Sequence, residues 1–560
     1  MRINYQHLGR SQVLCDASLA SAHFEEYNYH MAEFTTIHEI LNSGVESSPD
    51  FTALSYVGHP GITFTEAGRK VASIRGLLHA SGVVPGDRVA IFSENMPSWG
   101  LVYFAVTTFP AVVVPVLPDF PADDVVNILQ HAETKVLFLS ARMRQRMAER
   151  LESLSGVLVL ELDALNDPAA DAGLYAEVAA GSVSPDDLAA IIYTSGTTGF
   201  SKGVMLSHRN IASNVSSAAG IPNMKQGERM LSILPLSHTY ECTLGFLLPF
   251  SLGVAIYYLD RPGSASVLIP AFGEVRPHLM LSVPLFIEKI VRSRVFSVLE
   301  SKAITRLLTK FAPTRNVLYR IAGKKLKKTF GGRLHFFGVG GAPLAADVER
   351  FLRVGRFPYA IGYGLTETAP LLAGCAPEET KFRSTGPAVP NVELRLLDGE
   401  LQARGPNIMQ GYYRNPELTQ EVFSEDGWFR TGDLGEIDAN GFVYIKGRSK
   451  NMILSASGEN IYPEAIESVI NQFSYVVDSL VIQKGANLIA KVHVNYEELL
   501  AGAGHASDAA AEAIRSFLDE LRTEVNRQLS AFSRITVMEE QSEPFEKTPT
   551  FKIKRYLYLN

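Results

Sequence analysis

Between Arg88 and Tyr193 the chain alternates short apolar runs with helical stretches, and few folds accommodate that rhythm. Arg88 to Phe92, Leu137-Phe138-Leu139, Val157 to Leu160 and Ala189 to Tyr193 read as buried strands. Phe64 to Ser81 reads as an amphipathic helix opened by Thr65 as its cap, and Pro85-Gly86-Asp87 as a turn. Parallel strands need long crossovers, usually helical, so this pattern predicts an α/β fold with mostly parallel sheets layered with helices. No repeat with a period of about 20 to 50 residues runs through the chain, which excludes a solenoid.

Two apolar stretches, Ser98 to Pro118 and Cys242 to Leu259, are nearly long enough to span a bilayer. Pro110 and Pro115 interrupt the first; Gly245, Pro249 and Gly253 interrupt the second. Each therefore reads as a buried helix followed by a buried strand. Residues 1–30 lack the apolar segment of a signal peptide and differ in texture from the stretch that begins at Met31, so they are expected to be a disordered extension. Three cysteines, Cys15, Cys242 and Cys375, are too few and too scattered for a disulfide framework or a cysteine-based zinc site, and suit a reducing cytoplasm.

At 560 residues more than one domain is expected. The texture changes at Arg448, where a smaller α+β region begins, with a long helix over Asp508 to Leu529. The expected division is a large domain over 31–447 and a small C-terminal one over 448–560. The net charge of -7 argues against a nucleic-acid binder. Charge is unevenly spread: residues 289–333 hold thirteen Lys or Arg and one acid, Glu300, a balance of +12 that leaves -19 elsewhere. Apolar residues such as Leu307, Phe311, Val317 and Ile321 are interleaved with those bases. Two readings stay open: a solvated helical face with a packed underside, and a surface that rests on anionic lipid at the inner face of a membrane.

The densest chemical signal is Tyr193-Thr-Ser-Gly-Thr-Thr-Gly-Phe-Ser-Lys-Gly203, directly after an apolar strand. Gly196 and Gly199 let backbone amides turn toward an anion, Thr194, Ser195, Thr197 and Thr198 add hydroxyls, and Lys202 adds a charge. Such a loop can cradle a polyphosphate. It is not a Walker A loop, because the Gly-Lys-Ser/Thr order is absent.

This segment resembles the phosphate loop of the adenylate-forming superfamily, and the resemblance continues in order to the C-terminus. Gly340-Gly341-Ala342-Pro343 resembles its adenine-contacting turn. Tyr363-Gly364-Leu365-Thr366-Glu367-Thr368 resembles its magnesium and phosphate motif, and Phe429-Arg430-Thr431-Gly432-Asp433 its ribose motif, with Phe429 where Tyr is commoner. Gly447-Arg448-Ser449-Lys450 resembles the hinge, and Ser457-Gly458-Glu459-Asn460 the loop that helps form the CoA-side site. Thr548 to Arg555 resembles the motif of the terminal catalytic lysine, with Lys552 in register. The resemblance implies ATP and Mg²⁺ as cofactors, CoA as co-substrate, Thr194 and Glu367 as metal ligands, and Lys552, Thr366 and Glu367 as catalytic. It also implies a mobile small domain that turns about Arg448 and Lys450, withdrawing Lys552 and bringing up Gly458, Glu459 and Asn460.

Joining a carboxylate to the α-phosphorus of ATP brings anions together, so catalysis is positioning and charge neutralisation. Carboxylates are already ionised near neutral pH, so His238 is expected to shape the acyl pocket or gate it rather than act as a base. Residues 238–250, 278–286 and 338–343 are the expected pocket walls; the first has no Lys or Arg to pair a second carboxylate, so an apolar tail is expected. Ser282-Val-Pro-Leu-Phe-Ile-Glu-Lys289, the basic insertion and the terminal motif resemble the long-chain fatty acid–CoA ligases. Two rivals stay open, an acyl-ACP synthetase and an acyl-AMP ligase that hands its product to a carrier protein. A dinucleotide fingerprint at Phe337-Gly-Val-Gly-Gly-Ala-Pro fails because Pro343 takes the third glycine position.

Overall fold

A computed structural model describes residues 33–166, 176–195, 201–454, 459–485, 487–500, 507–548 and 552–559. The expected extension, 1–30, lies outside the described residues. Two seven-stranded sheets form the body of the larger part. In the first, Leu158–Glu161, Thr134–Leu139, Arg88–Phe92, Val112–Val116 and Leu188–Ser195 lie side by side and parallel. Ser201–Ser207 and Gly411–Tyr412 extend that sheet antiparallel. In the second, Thr52–Tyr56, Ala255–Tyr258, Arg229–Ser232, Leu279–Ser282, Phe336–Val339 and Tyr359–Ile361 are parallel, with antiparallel Ile62–Thr63 at one edge.

The two sheets share one core: Val89 and Ile91 of the first and Leu54, Met230 and Ile256 of the second belong to the same buried cluster. Helix Pro97–Thr108 belongs to it too and is buried on every side, which explains its unbroken apolar sequence. Strand Val112–Val116 comes next in the chain. Cys242 to Leu259 likewise becomes a buried helical segment, π-helical over Cys242–Leu247, and then strand Ala255–Tyr258. Among the described residues no helix is long and apolar enough to cross a membrane.

One expected detail differs. Helix Phe64–Ala80 is capped by Thr63, not Thr65. The Thr63 hydroxyl accepts from the Glu66 amide while the Glu66 carboxylate accepts from the Thr63 amide, a reciprocal pair that satisfies two end donors. Thr65 instead donates its hydroxyl to the Pro49 carbonyl.

Four antiparallel strands, Glu393–Leu397, Glu400–Arg404, Phe429–Ile437 and Val443–Arg448, lead toward the C-terminal part. There Val476–Lys484, Asn487–Val494 and Val537–Glu540 form a three-stranded sheet. Helices Pro463–Ile470 and Ser507–Gln528 cover it, and Ile466, Ile470, Val481, Val492, Leu521 and Val525 make a core of their own.

Candidate active site

Strand Leu188–Ser195 is buried over most of the length where its side chains are described, and it pairs with Ser201–Ser207 so that Thr194 stands opposite Lys202 and Ser195 opposite Ser201. The connecting residues Gly196, Thr197, Thr198 and Gly199 lie outside the described residues. Outside Ser201–Ser207 the edge strand Gly411–Tyr412 pairs Gly411 with Met205 and Tyr412 with Val204, and the Tyr413 amide donates to the Gly203 carbonyl at 2.7 Å.

That edge strand carries the next group. The Tyr412 hydroxyl donates to Glu367 Oε1 at 2.9 Å, and the Met409 amide donates to the Glu367 carbonyl at 2.9 Å. Asn407 Nδ2 donates to the Thr368 carbonyl at 2.8 Å. Glu367 and half-buried Thr366 sit in a single 3₁₀ turn, Thr366–Thr368, whose backbone is thus fastened to the segment leading into the edge strand beside Ser201–Ser207. Lys202 Nζ lies 5.4 Å from the centre of the Tyr412 ring, a cation–π contact. Burial lowers the Lys202 ammonium from its ordinary value and the charge of Lys450 adds to that, while Glu367 and Glu421 oppose it.

Tyr363 and Gly364 precede this turn on a short strand paired with Leu371–Ala373. A Cβ on Gly364 would stand 1.8 Å from the Pro370 carbonyl oxygen, so only glycine permits the approach. The buried Tyr363 hydroxyl donates to Asp433 Oδ2 at 2.7 Å. Asp433 faces Arg448 across the antiparallel ladder, and Arg448 Nε reaches Asp433 Oδ1 at 2.9 Å. Burial raises the Asp433 carboxyl above its ordinary value, and Arg448, Tyr363 and Lys552 pull it back. Each carboxylate oxygen accepts more than one hydrogen bond, so Asp433 keeps capacity for two further hydroxyls.

Lys552 comes from the far end of the chain into the field of Arg448, Asp433 and Glu367. Crowding by protein lowers its ammonium from the ordinary lysine value, Arg448 adds to that, and the two carboxylates oppose it. The residue remains solvent-exposed, so it stands in an open cleft where water screens the effect. Its charge also reaches half-buried His238. Burial and then Lys552 lower the His238 imidazole to about 4, so it is neutral near pH 7. Nδ1 accepts the Tyr240 amide at 3.2 Å, which leaves the proton on Nε2.

A cavity with about 510 Å³ of atom-free space, mouth included, lies against the second sheet; His238 is not in its lining, but Tyr240, two residues on, is. Tyr240, Leu244, Leu248, Leu279, Leu281 and Gly338 line it, as the expected walls 238–250, 278–286 and 338–343 anticipate. The lining also includes residues from 218–224, 360–362 and 371–375, segments the sequence reading missed because only the fold brings them alongside. Among the described residues no charged side chain lines it. Gly340 packs on the Tyr240 ring, leaving Gly341, Ala342 and Pro343 exposed at the turn.

Tyr412 was not read from the sequence either; no local pattern marks it, since its partner Glu367 lies 45 residues away. Gly458 lies outside the described residues, Glu459 precedes a short strand, and Asn460 on that strand pairs with Leu454. Strand pairing, hydrogen bonds and an ion pair link Thr194 with Lys202, Tyr412 with Glu367, and Tyr363 and Arg448 with Asp433, and charge effects reach from there to Lys450, Lys552 and His238, while Asn460 belongs to a separate two-stranded ladder.

Among the described residues no cluster of three or more His, Cys, Asp or Glu could hold a metal alone. Mg²⁺ is commonly held by one or two carboxylates together with substrate phosphates and water. Glu367 is the hard oxygen donor at hand, and Thr194 supplies a hydroxyl on the neighbouring strand.

Residues 41–413 match the AMP-binding enzyme family. The chain is 30% identical to a long-chain-fatty-acid–CoA ligase of Mycobacterium bovis over 544 residues, covering 88% of this chain and 90% of that one. It is 29% identical to a peroxisomal long chain acyl-CoA synthetase of Arabidopsis thaliana, covering 93% and 84%. The fold superposes on ATP-bound MatB from Rhodopseudomonas palustris with a TM-score of 0.73 at 24% identity, covering 93% and 98%.

Proposed function

Because this chain belongs to the AMP-binding enzyme family, we propose that it activates a fatty, long-chain carboxylic acid with ATP and passes the acyl group to CoA. One observation carries this reading: Lys552, Asp433, Arg448 and Glu367 share one electrostatic cluster beside His238 and a cavity lined without charge. A carboxylate oxygen attacks the α-phosphorus, the bond to pyrophosphate breaks, and acyl-AMP forms. The CoA sulfur then attacks the acyl carbon, its proton leaves, and AMP departs.

In this scheme Asp433 accepts the ribose hydroxyls, held ready by Tyr363 and Arg448. Gly341, Ala342 and Pro343 face the adenine. Thr194, Ser195, Gly196, Thr197, Thr198, Gly199 and Lys202 hold the phosphates, and Thr366 stands beside them. Glu367 and Thr194 would hold Mg²⁺, which neutralises phosphate charge when bound. Lys552 places its ammonium against the α-phosphate and carboxylate oxygens as negative charge builds. Neutral His238 walls the entrance to the acyl cavity, since adenylation needs no base. Residues 31–447 and 448–560 act as two domains, and rotation about Arg448 to Lys450 exchanges Lys552 for the Gly458-Glu459-Asn460 loop.

ATP–pyrophosphate exchange across straight-chain and dicarboxylic acids graded by length tests this. Exchange should rise with apolar chain length and be absent with dicarboxylates. No ATP-dependent exchange with any acid overturns the proposal. Acyl transfer to free CoA compared with a carrier protein identifies the acceptor.

The basic segment also takes a place in this function. Helices Ala303–Thr309 and Ala312–Thr329 bury Gly323 and Leu326 on their underside, yet expose Ile304, Leu307, Phe311, Val317 and Ile321 among Lys and Arg. Apolar side chains set among cations suit an anionic lipid surface, where the apolar substrate resides. The protein is then cytoplasmic, resting peripherally on the inner face of a membrane. Replacing Lys324, Lys325, Lys327 and Lys328 by Gln should weaken binding to phosphatidylglycerol vesicles by up to about 1 kcal/mol per charge, with little effect on phosphatidylcholine vesicles. Unchanged binding to the anionic vesicles removes the membrane role.

A further inference from the structure

Lys552 stands near the tip of a hairpin, and its side chain is long and flexible, so its aim depends on what fixes the hairpin. Lys547 bridges Ile553, the Thr548 amide donates to the Lys552 carbonyl at 2.7 Å, and the Lys554 amide donates to the Glu546 carbonyl at 2.9 Å. Both stems are fastened to the small lobe. On the incoming stem Lys547 Nζ meets Asp478 Oδ2 at 2.7 Å. On the outgoing stem, three residues after Lys552, Arg555 Nη1 reaches both oxygens of Glu467 at 2.8 and 3.0 Å, and Nη2 donates to the Val481 carbonyl at 2.9 Å. The Val481 amide in turn donates to Glu467 Oε1 at 2.7 Å.

The Arg555–Glu467 pair is largely shielded, with side-chain exposures of 19% and 12%. Glu467 belongs to helix Pro463–Ile470, which begins just after the short strand Asn460–Ile461. One carboxylate therefore joins the hairpin that carries Lys552 to helix Pro463–Ile470 and to strand Val476–Lys484.

We propose that Glu467 and Arg555 are positioning residues that aim Lys552 into the nucleotide site. This rests on the assignment of Lys552 to acyl-AMP formation. A bidentate guanidinium–carboxylate pair fixes direction as well as distance, which a single-point lysine contact does not. Misplacing a reacting charge by about 1 Å costs on the order of 100-fold in rate.

The test uses the full chain with a long-chain fatty acid, measuring ATP–pyrophosphate exchange and, separately, thioester formation from supplied acyl-AMP. Arg555→Ala and the isosteric Glu467→Gln should each lower the exchange rate by roughly 10- to 100-fold at an ATP KM changed by less than about twofold. Arg555→Lys should recover only part of the rate. Adding Arg555→Ala to Lys552→Ala should slow exchange no further, since a positioning residue acts only through what it positions. Glu467→Gln keeps the test open if Arg555→Ala does not fold. Exchange at the wild-type rate in both single variants overturns the clamp, as does an equal fall in both half-reactions, which marks a purely structural pair. Full exchange in Lys552→Ala instead overturns the lysine assignment on which the clamp rests.

Discussion

Lys552 is a cation set among Arg448, Asp433 and Glu367, and that mixture defines its use. In the proposed scheme the phosphate and carboxylate oxygens of the substrates join Asp433 and Glu367 as partners of this ammonium. Lys552→Ala should lower acyl-AMP formation by on the order of 10²- to 10³-fold while thioester formation from supplied acyl-AMP continues. An equal loss of both half-reactions contradicts the role. His238 gives a prediction of opposite sign. An ordinary histidine changes charge near pH 6.5, but this one protonates only as pH falls through about 4, so it carries no charge change between about pH 6 and 8. His238→Phe should therefore leave the shape of the exchange rate against pH unaltered across that range, with its effect appearing in acyl-chain preference. Loss of a limb near pH 6.5 in the variant assigns His238 to acid–base work.

At the scale of elements, the residues proposed to hold phosphate and Mg²⁺ come from unlike pieces of chain. The Thr194–Lys202 hairpin, the Thr366–Thr368 turn and edge strand Gly411–Tyr412 meet in one sheet corner, with Tyr412 as the bond between them. Gly364 sets the geometry of that corner, since its backbone closes on the Pro370 carbonyl. Gly364→Ala must push the two strands apart, at about 1 to 3 kcal/mol for the overpacking, and displace Glu367. ATP–pyrophosphate exchange should fall and its Mg²⁺ requirement rise; a variant with wild-type exchange and thermal midpoint frees Gly364 of that role. What the sequence made legible at this scale was whatever local spacing encodes. The strands Arg88–Phe92 and Leu188–Ser195 and the long helix Ser507–Gln528 belong to that class, whereas Glu367, Asp433 and Lys552 were singled out by the resemblance of their motifs to a family. Tyr412 and the cavity walls at 218–224, 360–362 and 371–375 were not legible, because their contacts depend on neighbours distant in sequence. The cap at Thr63 escaped for a smaller reason. Thr63 and Thr65 both fit the local pattern, and only the reciprocal bond with Glu66 decides between them.

In the whole molecule, the proposed scheme uses two arrangements of the small domain, one with Lys552 near Asp433 and one that brings up the Gly458-Glu459-Asn460 loop. The described structure has Lys552 in the field of Arg448, Asp433 and Glu367 and corresponds, in that scheme, to the first. Ser449 lies between Arg448 and Lys450 at the start of the short turn Ser449–Asn451, and Arg448 before it is extended, with φ -93° and ψ 136°. Proline fits such a first helical position, and an extended residue before it meets no clash. Ser449→Pro should therefore preserve the arrangement seen here while locking the φ angle that rotation must change. ATP–pyrophosphate exchange should stay within about twofold of the wild type, whereas thioester formation from supplied acyl-AMP should fall on the order of tenfold or more. Unimpaired thioester formation in Ser449→Pro moves the pivot elsewhere; a parallel loss of exchange would mean that Ser449 supports the nucleotide site itself rather than the motion between its two states.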